Sequence, residues 1–113
     1  MLFSGLTITF LKELGFGLWV AFPVLLSIGL AITILGRIAG RVEGWSPFDS
    51  FYWSFITATT VGYGDLRPTK VRSRLVAIII GLLGLTFTGI VIALAVHAGT
   101  VALTAHDAAQ KLK

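Results

Sequence analysis

The sequence predicts an all-α membrane protein in which two membrane-crossing helices flank a shorter helix and a glycine-rich loop. Of its 113 residues, 56% are hydrophobic and only 12% are charged. The mean hydropathy is +0.92, which lies outside the usual range for soluble domains. Two long uncharged stretches, residues 14–36 and 75–105, stand on either side of the loop. Together these observations predict a single membrane domain.

The charge distribution and the residue types argue against several classes of function. The net charge is +4, but the nine basic residues are scattered and do not form the stripe that nucleic-acid binding favours. The five carboxylates include no pair at a spacing typical of a general acid and base. The sequence has no cysteine for a disulfide or a thiolate metal site. We therefore expect no enzyme activity, no cofactor and no nucleic-acid partner.

The first predicted span covers residues 14–36, which carry no charge. At about 1.5 Å per residue this segment is long enough to cross a hydrocarbon core of roughly 30 Å. Residues 1–13 are predicted as a lead-in that is disordered or lies at the membrane interface, or that simply extends the helix. Residues 37–45 are predicted as a polar connection because charges return there.

A short helix is predicted at residues 47–59. Ser46 is its N-cap, Pro47 takes the first helical position and Asp49 follows the cap by three residues. With a length of about 20 Å the helix is too short to cross the bilayer, so it should enter and stop partway. Its apolar side chains lie nearly all round, which indicates burial on every side.

The loop at residues 60–65 reads Thr-Val-Gly-Tyr-Gly-Asp. Gly62 and Gly64 can adopt positive φ without steric cost, so successive carbonyl groups can turn toward one side. A stack of carbonyl oxygens can offset the large cost of removing a cation from water. In a soluble protein these residues would be a strand entering a turn, but irregular backbone at membrane depth survives only where it lines a cavity or is buried. Because one loop cannot surround an ion, a closed site needs several copies of the chain.

The segment from Thr60 to Gly64 resembles the selectivity filter of prokaryotic potassium channels with two transmembrane helices per subunit. The resemblance covers roughly residues 15–105. It implies a fourfold homotetramer, surrounded by membrane lipids, that conducts K⁺ passively, with residues 47–59 as a re-entrant pore helix. The implied K⁺ ligands are the Thr60 hydroxyl and the backbone carbonyls of four filter residues, Thr60, Val61, Gly62 and Tyr63.

The resemblance also implies roles for residues around the filter. Trp53 matches an aromatic residue that supports the filter tyrosine, and Asp65 matches an aspartate that some bacterial members pair with a carboxylic acid. Ile56 stands at the position of that acid, so Asp65 either reaches Tyr52 or remains exposed at the outer mouth. Arg67 stands at the mouth where several relatives carry an aromatic residue. The predicted filter supports are Thr59, Gly64, Asp65, Trp53 and Tyr52.

The second predicted span, the inner helix at residues 72–105, is longer than the membrane core requires. Gly84 matches by its offset from the filter the position of a gating hinge, although small residues also permit close helix packing. His97 and His106 are candidate pH sensors, although a histidine at a helix end is more often an interface residue. Residues 106–113 are predicted as a short basic tail. Four residues at intervals of four lie near one face of this helix, which in the family lines the cavity and the gate: Thr88, Ile92, Val96 and Thr100.

The sequence gives conflicting signals about orientation. Six of the nine basic residues lie between the two spans, and the positive-inside rule alone would therefore place both termini outside. The resemblance instead implies an inner-membrane protein with cytoplasmic termini and an outward-facing filter, and we adopt that orientation. Two other functions remain open, a weakly selective monovalent cation channel and a non-conducting hairpin that regulates a partner.

Overall fold

The computed structural model describes residues 2–112 and contains two long helices and one short helix. Met1 of the predicted lead-in and Lys113 of the predicted tail lie outside these described residues. The helices in chain order are α1 (Leu2–Glu43), α2 (Pro47–Ala58) and α3 (Val71–Lys111). Helices α1 and α3 are each long and apolar enough to cross a membrane. The predicted all-α arrangement of two long helices around a short one is therefore confirmed.

Helix α1 is longer at both ends than the predicted outer span. Residues 2–13 are helical, which is the second of the two arrangements considered for the lead-in, and most of the predicted connection at residues 37–45 is helical too. The helix ends where Gly44 adopts a φ of 80° and the Trp45 amide donates to the Gly40 carbonyl at 2.8 Å, as in a Schellman closure. Helix α1 therefore ends at Gly44, which adopts the left-handed conformation, and Arg37 and Arg41 lie within the helix.

The other two helices also differ in their ends from the prediction. Helix α3 begins at Val71 and continues to Lys111, through most of the predicted tail at residues 106–113. Hydropathy marks the part of a helix that fits the membrane, whereas alanine and other good helix formers continue the helix beyond it. Helix α2 ends at Ala58 with Thr59 as its C-cap, one residue before its predicted end.

Each of two compact units has its own close approach between helices. The units are Val24–Thr88 and the combination of Met1–Pro23 with Gly89–Lys113. In the latter unit α1 approaches α3 at Gly17, where a methyl group would lie 3.0 Å from Leu94 Cδ2. Ala98 and Ala102 of α3 are buried. Small side chains thus allow the two helices of this unit to lie close together.

The Val24–Thr88 unit contains all of α2 and the loop that follows it. All three helices contribute to its core, while many larger apolar side chains on α1 and α3 are exposed, as expected for surfaces in contact with lipid. The buried apolar residues of this core are Ile32, Ala39, Trp53, Ala58 and Ile80.

Two glycines of α1 allow α2 to pack directly against its backbone. A methyl group at Gly36 would lie 2.5 Å from Ser54 Cβ, and one at Gly40 would lie 2.7 Å from Ser50 Cβ. Both serines are buried, yet their hydroxyl groups are satisfied within the short helix. Ser50 Oγ donates to the Ser46 carbonyl and Ser54 Oγ to the Ser50 carbonyl, each at 2.9 Å. The two helices therefore lie as close as their small side chains permit.

Replacing Gly40 with alanine is expected to destabilise this packing by about 1–3 kcal/mol, because the added methyl overlaps Ser50. Thermal unfolding followed by circular dichroism in detergent measures the effect. The double variant Gly40→Ala/Ser50→Gly should recover much of the loss, since it removes the overlapping side chain. Gly29→Ala is the matched control, because no atom lies within 4 Å of an added methyl there. Equal melting temperatures for Gly40→Ala and Gly29→Ala would contradict the packing described.

Candidate functional site

Helix α2 begins as the sequence predicts. The Asp49 amide donates to Ser46 Oγ at 3.1 Å, and Pro47 lies in the first turn, where no amide donor is needed. The Ser50 amide donates to the Ser46 carbonyl at 2.9 Å. The predicted N-cap is confirmed, and the helix it starts leads at its other end into the loop at residues 60–65.

The end of α2 sets the direction in which the loop at residues 60–65 leaves the helix. Thr60 adopts a φ of 64°, and its amide donates to the Thr57 carbonyl at 3.2 Å. The Val61 and Gly62 amides both donate to the Ile56 carbonyl, at 3.1 and 3.3 Å. This is a Schellman closure with threonine in the position usually taken by glycine. The left-handed conformation costs a residue with a Cβ about 1–2 kcal/mol, so the surrounding structure must hold it.

The two filter glycines adopt the backbone conformation that the sequence predicts for them. Gly62 has a φ of 54° and Gly64 a φ of 83°. The side chain of Tyr63, which lies between the two glycines, is 70% exposed. The side chain of Val61, which precedes them, is 50% exposed. A single chain therefore leaves the apolar side chains of this loop uncovered.

Polar contacts at the outer end of the loop involve Asp65 and Arg67. Arg67 Nε donates to the Gly64 carbonyl at 2.9 Å, and Asp65 Oδ1 accepts the Leu66 amide at 3.0 Å. Desolvation and then a hydrogen bond with Asp65 raise the pKa of the Tyr52 phenol above its ordinary value. The Asp65 carboxylate thus interacts with Tyr52, which is one of the two arrangements expected in the absence of an acid at position 56.

Trp53 lies in the core of the Val24–Thr88 unit. It is 5% exposed, and its ring centroid lies 5.2 Å from that of Trp45 at an interplanar angle of 56°, a favourable tilted arrangement for two aromatic rings. Trp45 in turn belongs to the short connection between α1 and α2. Trp53 therefore joins that connection to the core, and its predicted support of Tyr63 stays a prediction.

Glu43, the last residue of α1, forms hydrogen bonds with the segment that connects the loop to α3. Its Oε1 accepts the Thr69 and Lys70 amides at 2.7 and 2.9 Å, and its Oε2 accepts the Thr69 hydroxyl at 2.8 Å. In return, Lys70 Nζ donates to the Val42 carbonyl at 2.8 Å. We call this set of bonds the Glu43 clamp. It joins the end of α1 to the residues immediately before α3.

Sequence reasoning missed the Glu43 clamp. The chain offers one local signal, a carboxylate beside the glycine that ends α1, because an acidic group stabilises free amides at a helix start. The partner amides lie 26 and 27 residues further along the chain, and a single sequence does not reveal that pairing.

The predicted inner-helix residues all lie on the continuous helix α3: Gly84, Thr88, Ile92, Val96, His97 and His106. Gly84 is buried, and a methyl group there would lie 2.6 Å from the Cα atom of Ala58. Ile92 and Val96 are 57% and 63% exposed. The hinge, gate and pH-sensor roles of these residues stay predictions.

A cavity of about 210 Å³ lies beside the end of α2 in the Val24–Thr88 unit. All three helices line it, including Ile32 of α1, Phe55 of α2 and Phe87 of α3. The surface that lines it is almost entirely apolar. Among the described residues there is also no cluster of three or more side chains suited to a metal.

The comparison with protein families identifies the chain. The family described as "Ion channel" matches residues 20–100, which include the end of α1, all of α2, the loop and much of α3. The chain belongs to this family. Membership of an ion channel family, together with two helices long enough to cross a membrane, makes it a membrane protein with a transport function, and the family is not one of enzymes.

Named relatives resemble parts of this ion channel chain. The "TWiK family of potassium channels protein 7" of Caenorhabditis elegans is 43% identical over 60% of this chain and 12% of its own length. "Two-pore potassium channel 2" of Arabidopsis thaliana is 36% identical over 61% of this chain and 16% of its own. "Potassium channel protein 1" of Methanocaldococcus jannaschii is 44% identical over 44% of this chain and 15% of its own. The match thus spans less than a fifth of each relative, and no solved structure matches significantly.

The hydrogen bonds of the clamp, above all that from the Lys70 amide, lower the pKa of Glu43 from 4.5 to about 2. Because the pKa is lower in the folded state, the carboxylate stabilises the fold fully above about pH 4.5 and loses this effect as the pH falls toward about 2. Glu43→Gln should therefore lower the melting temperature at pH 7 and flatten the change between pH 4.5 and 2. Circular dichroism across that range measures both effects.

Asp107→Asn provides the control, because Asp107 is an exposed carboxylate near the end of α3. It should leave the melting curve at neutral pH unchanged. If Glu43→Gln behaved like Asp107→Asn at every pH, the clamp would contribute nothing to stability.

Proposed function

We propose that this chain is the pore-forming subunit of a prokaryotic, potassium-selective channel that conducts passively through a homotetramer. The observation that carries the proposal is a loop with the composition of a potassium filter, fastened at its entry by the end of α2 and at its exit by the Glu43 clamp. Its two glycines have positive φ, which suits a backbone that directs carbonyl groups to one side.

In this proposal the ion ligands are the carbonyl oxygens of Thr60 to Tyr63 and the Thr60 hydroxyl. Four copies of the loop replace the hydration shell of K⁺, and repulsion between ions in neighbouring sites speeds their exit. The exposure of Tyr63 and Val61 in one chain supports assembly, because neighbouring copies would cover these side chains. K⁺ is the transported substrate here, and no further cofactor is proposed.

The names of the relatives support K⁺ as the permeant ion. Those quoted above, from an animal, a plant and an archaeon, are all named potassium channels. The chain also keeps Tyr63 and Gly64, which favour selectivity for K⁺ over a weakly selective cation pore. We further propose that Thr59, Trp53 and Tyr52 support the filter from α2 and its C-terminus.

We place the gate on α3. Gly84 is proposed to contribute through hinge bending or through packing, and the face bearing Thr88, Ile92 and Val96 to line the inner pore. Large apolar side chains such as Ile92 and Val96 can close a pore by excluding water. Protonation of His97 or His106 would be the simplest pH-dependent control of this region.

Selectivity follows from the reversal potential across bilayers that contain the purified protein, with K⁺ on one side and Na⁺ on the other. We expect a value near the potassium equilibrium potential. Gly64→Ala should move it toward zero, because alanine is strained at a φ of 83° and the adjoining carbonyl groups would turn. Gly89→Ala is the control, since an added methyl there meets no atom within 4 Å.

A reversal potential near zero for the wild-type chain, with clear currents, would reject potassium selectivity in favour of a weakly selective pore. If the wild-type protein passed no ions in either a bilayer or a flux assay across the pH range, the non-conducting hairpin would become the better description.

We also propose an inner-membrane location with both termini in the cytoplasm and the filter facing out. The chain has no cysteine, so single cysteines can report orientation without a background signal. An impermeant thiol reagent added outside intact cells should label Arg72→Cys, at the start of α3, and leave Lys111→Cys, at its other end, unlabelled. Both side chains are exposed. Labelling of Lys111→Cys alone would reverse the orientation, as the positive-inside rule suggests.

A further inference from the structure

Helix α3 approaches the backbone at the end of α2 most closely where residue 84 is glycine. A methyl group at Gly84 would lie 2.6 Å from the Cα atom of Ala58 and 2.7 Å from its carbonyl carbon, well inside ordinary van der Waals contact. Both of these atoms belong to the backbone, so no change of rotamer can relieve the overlap. The two helices approach this closely only because residue 84 has no side chain.

Neighbouring contacts leave little room for either helix to move. Ile80, one turn before Gly84, is fully buried and belongs to the same core cluster as Ala58. Nearer the start of α2, Ser54 and Ser50 lie against Gly36 and Gly40 of α1. A side chain at position 84 could therefore be accommodated only by opening the core around Ile80 or by displacing α2, because close-packed interiors have little free space.

A displacement of α2 at this point would also move the loop at residues 60–65. Ala58 is the last residue of α2, and the closure that turns the chain at Thr60 begins with the carbonyls of Ile56 and Thr57. We propose that Gly84 is a positioning residue for the filter, through which α3 fixes the end of α2 and hence the placement of the ion-binding carbonyl groups. The inference rests on the proposed function in taking this loop as the ion filter.

This role differs from that of a flexible hinge. Gly81 and Gly89 lie on the same continuous helix, and an added methyl would meet no atom within 4 Å at either position. All three glycines lower helix propensity equally, so flexibility does not set Gly84 apart from the other two. Gly84 differs from them by its contact with the backbone of Ala58.

The test compares Gly84→Ala with the matched control Gly81→Ala in the full chain. Two quantities are measured, the K⁺ to Na⁺ permeability ratio in bilayers and amide hydrogen exchange at Thr60, Val61 and Gly62. Gly84→Ala should lower the permeability ratio about tenfold or more, because selectivity depends on the arrangement of the carbonyls, and should speed the exchange of these three amides. Gly81→Ala should leave both quantities at their wild-type values.

A double variant separates positioning from hinge bending. Gly84→Ala/Leu85→Gly keeps a glycine in the same turn and changes a side chain that is 57% exposed, and Leu85→Gly alone is its control. The positioning role requires the double variant to be as impaired as Gly84→Ala. Recovery of wild-type selectivity and exchange in the double variant would overturn it, as would wild-type values for Gly84→Ala itself.

Two further features of the experiment allow each outcome to support or overturn the proposal. Amide exchange does not depend on conduction, so a non-selective wild-type pore would reject the proposed function while exchange still decides the role of Gly84. If the Gly84→Ala chain does not assemble alone, it is combined with an equal amount of wild-type chains, so that most tetramers contain the variant. Reduced selectivity of these mixed channels then supports the positioning role, and wild-type selectivity overturns it.

Discussion

Irregular backbone inside a membrane is stable only where the protein satisfies its polar groups and holds both of its ends, and this constraint governs the Val24–Thr88 unit. At the entry of the loop, the carbonyls of Ile56 and Thr57 accept the amides that turn the chain out of α2. At the exit, the carboxylate of Glu43 accepts the amides that precede α3. Both ends of the segment between them are therefore held by hydrogen bonds to the helices.

The helical architecture could be predicted because it depends on local features. Uncharged length identifies the two spans, and the Ser46 cap with the following proline locates the start of α2. The ends of the long helices differ from the prediction, because both helices continue beyond the uncharged stretches. Charge limits the part of a helix that can lie in lipid, whereas the hydrogen bonds that end α1 depend on the left-handed conformation of Gly44.

In the candidate site, features that depend on a single residue could be predicted, whereas contacts between residues far apart in the sequence could not. The positive φ of Gly62 and Gly64 could be predicted because glycine has this conformational freedom wherever it stands in the chain. The clamp between Glu43 and Thr69 could not, because it joins positions 26 residues apart. The contact of Gly84 with α2 was likewise hidden, since several glycines lie on α3 and only three-dimensional packing distinguishes them.

The position of Arg67 has a consequence for the charge at the Gly64 end of the loop. Its guanidinium group is bonded to the Gly64 carbonyl, and Arg67 follows Asp65 by two residues, so each copy of the loop carries one positive and one negative charge within three residues. In a fourfold assembly the four arginines would offset the four carboxylates, so this pair of residues would add little net charge to the field that an approaching cation meets.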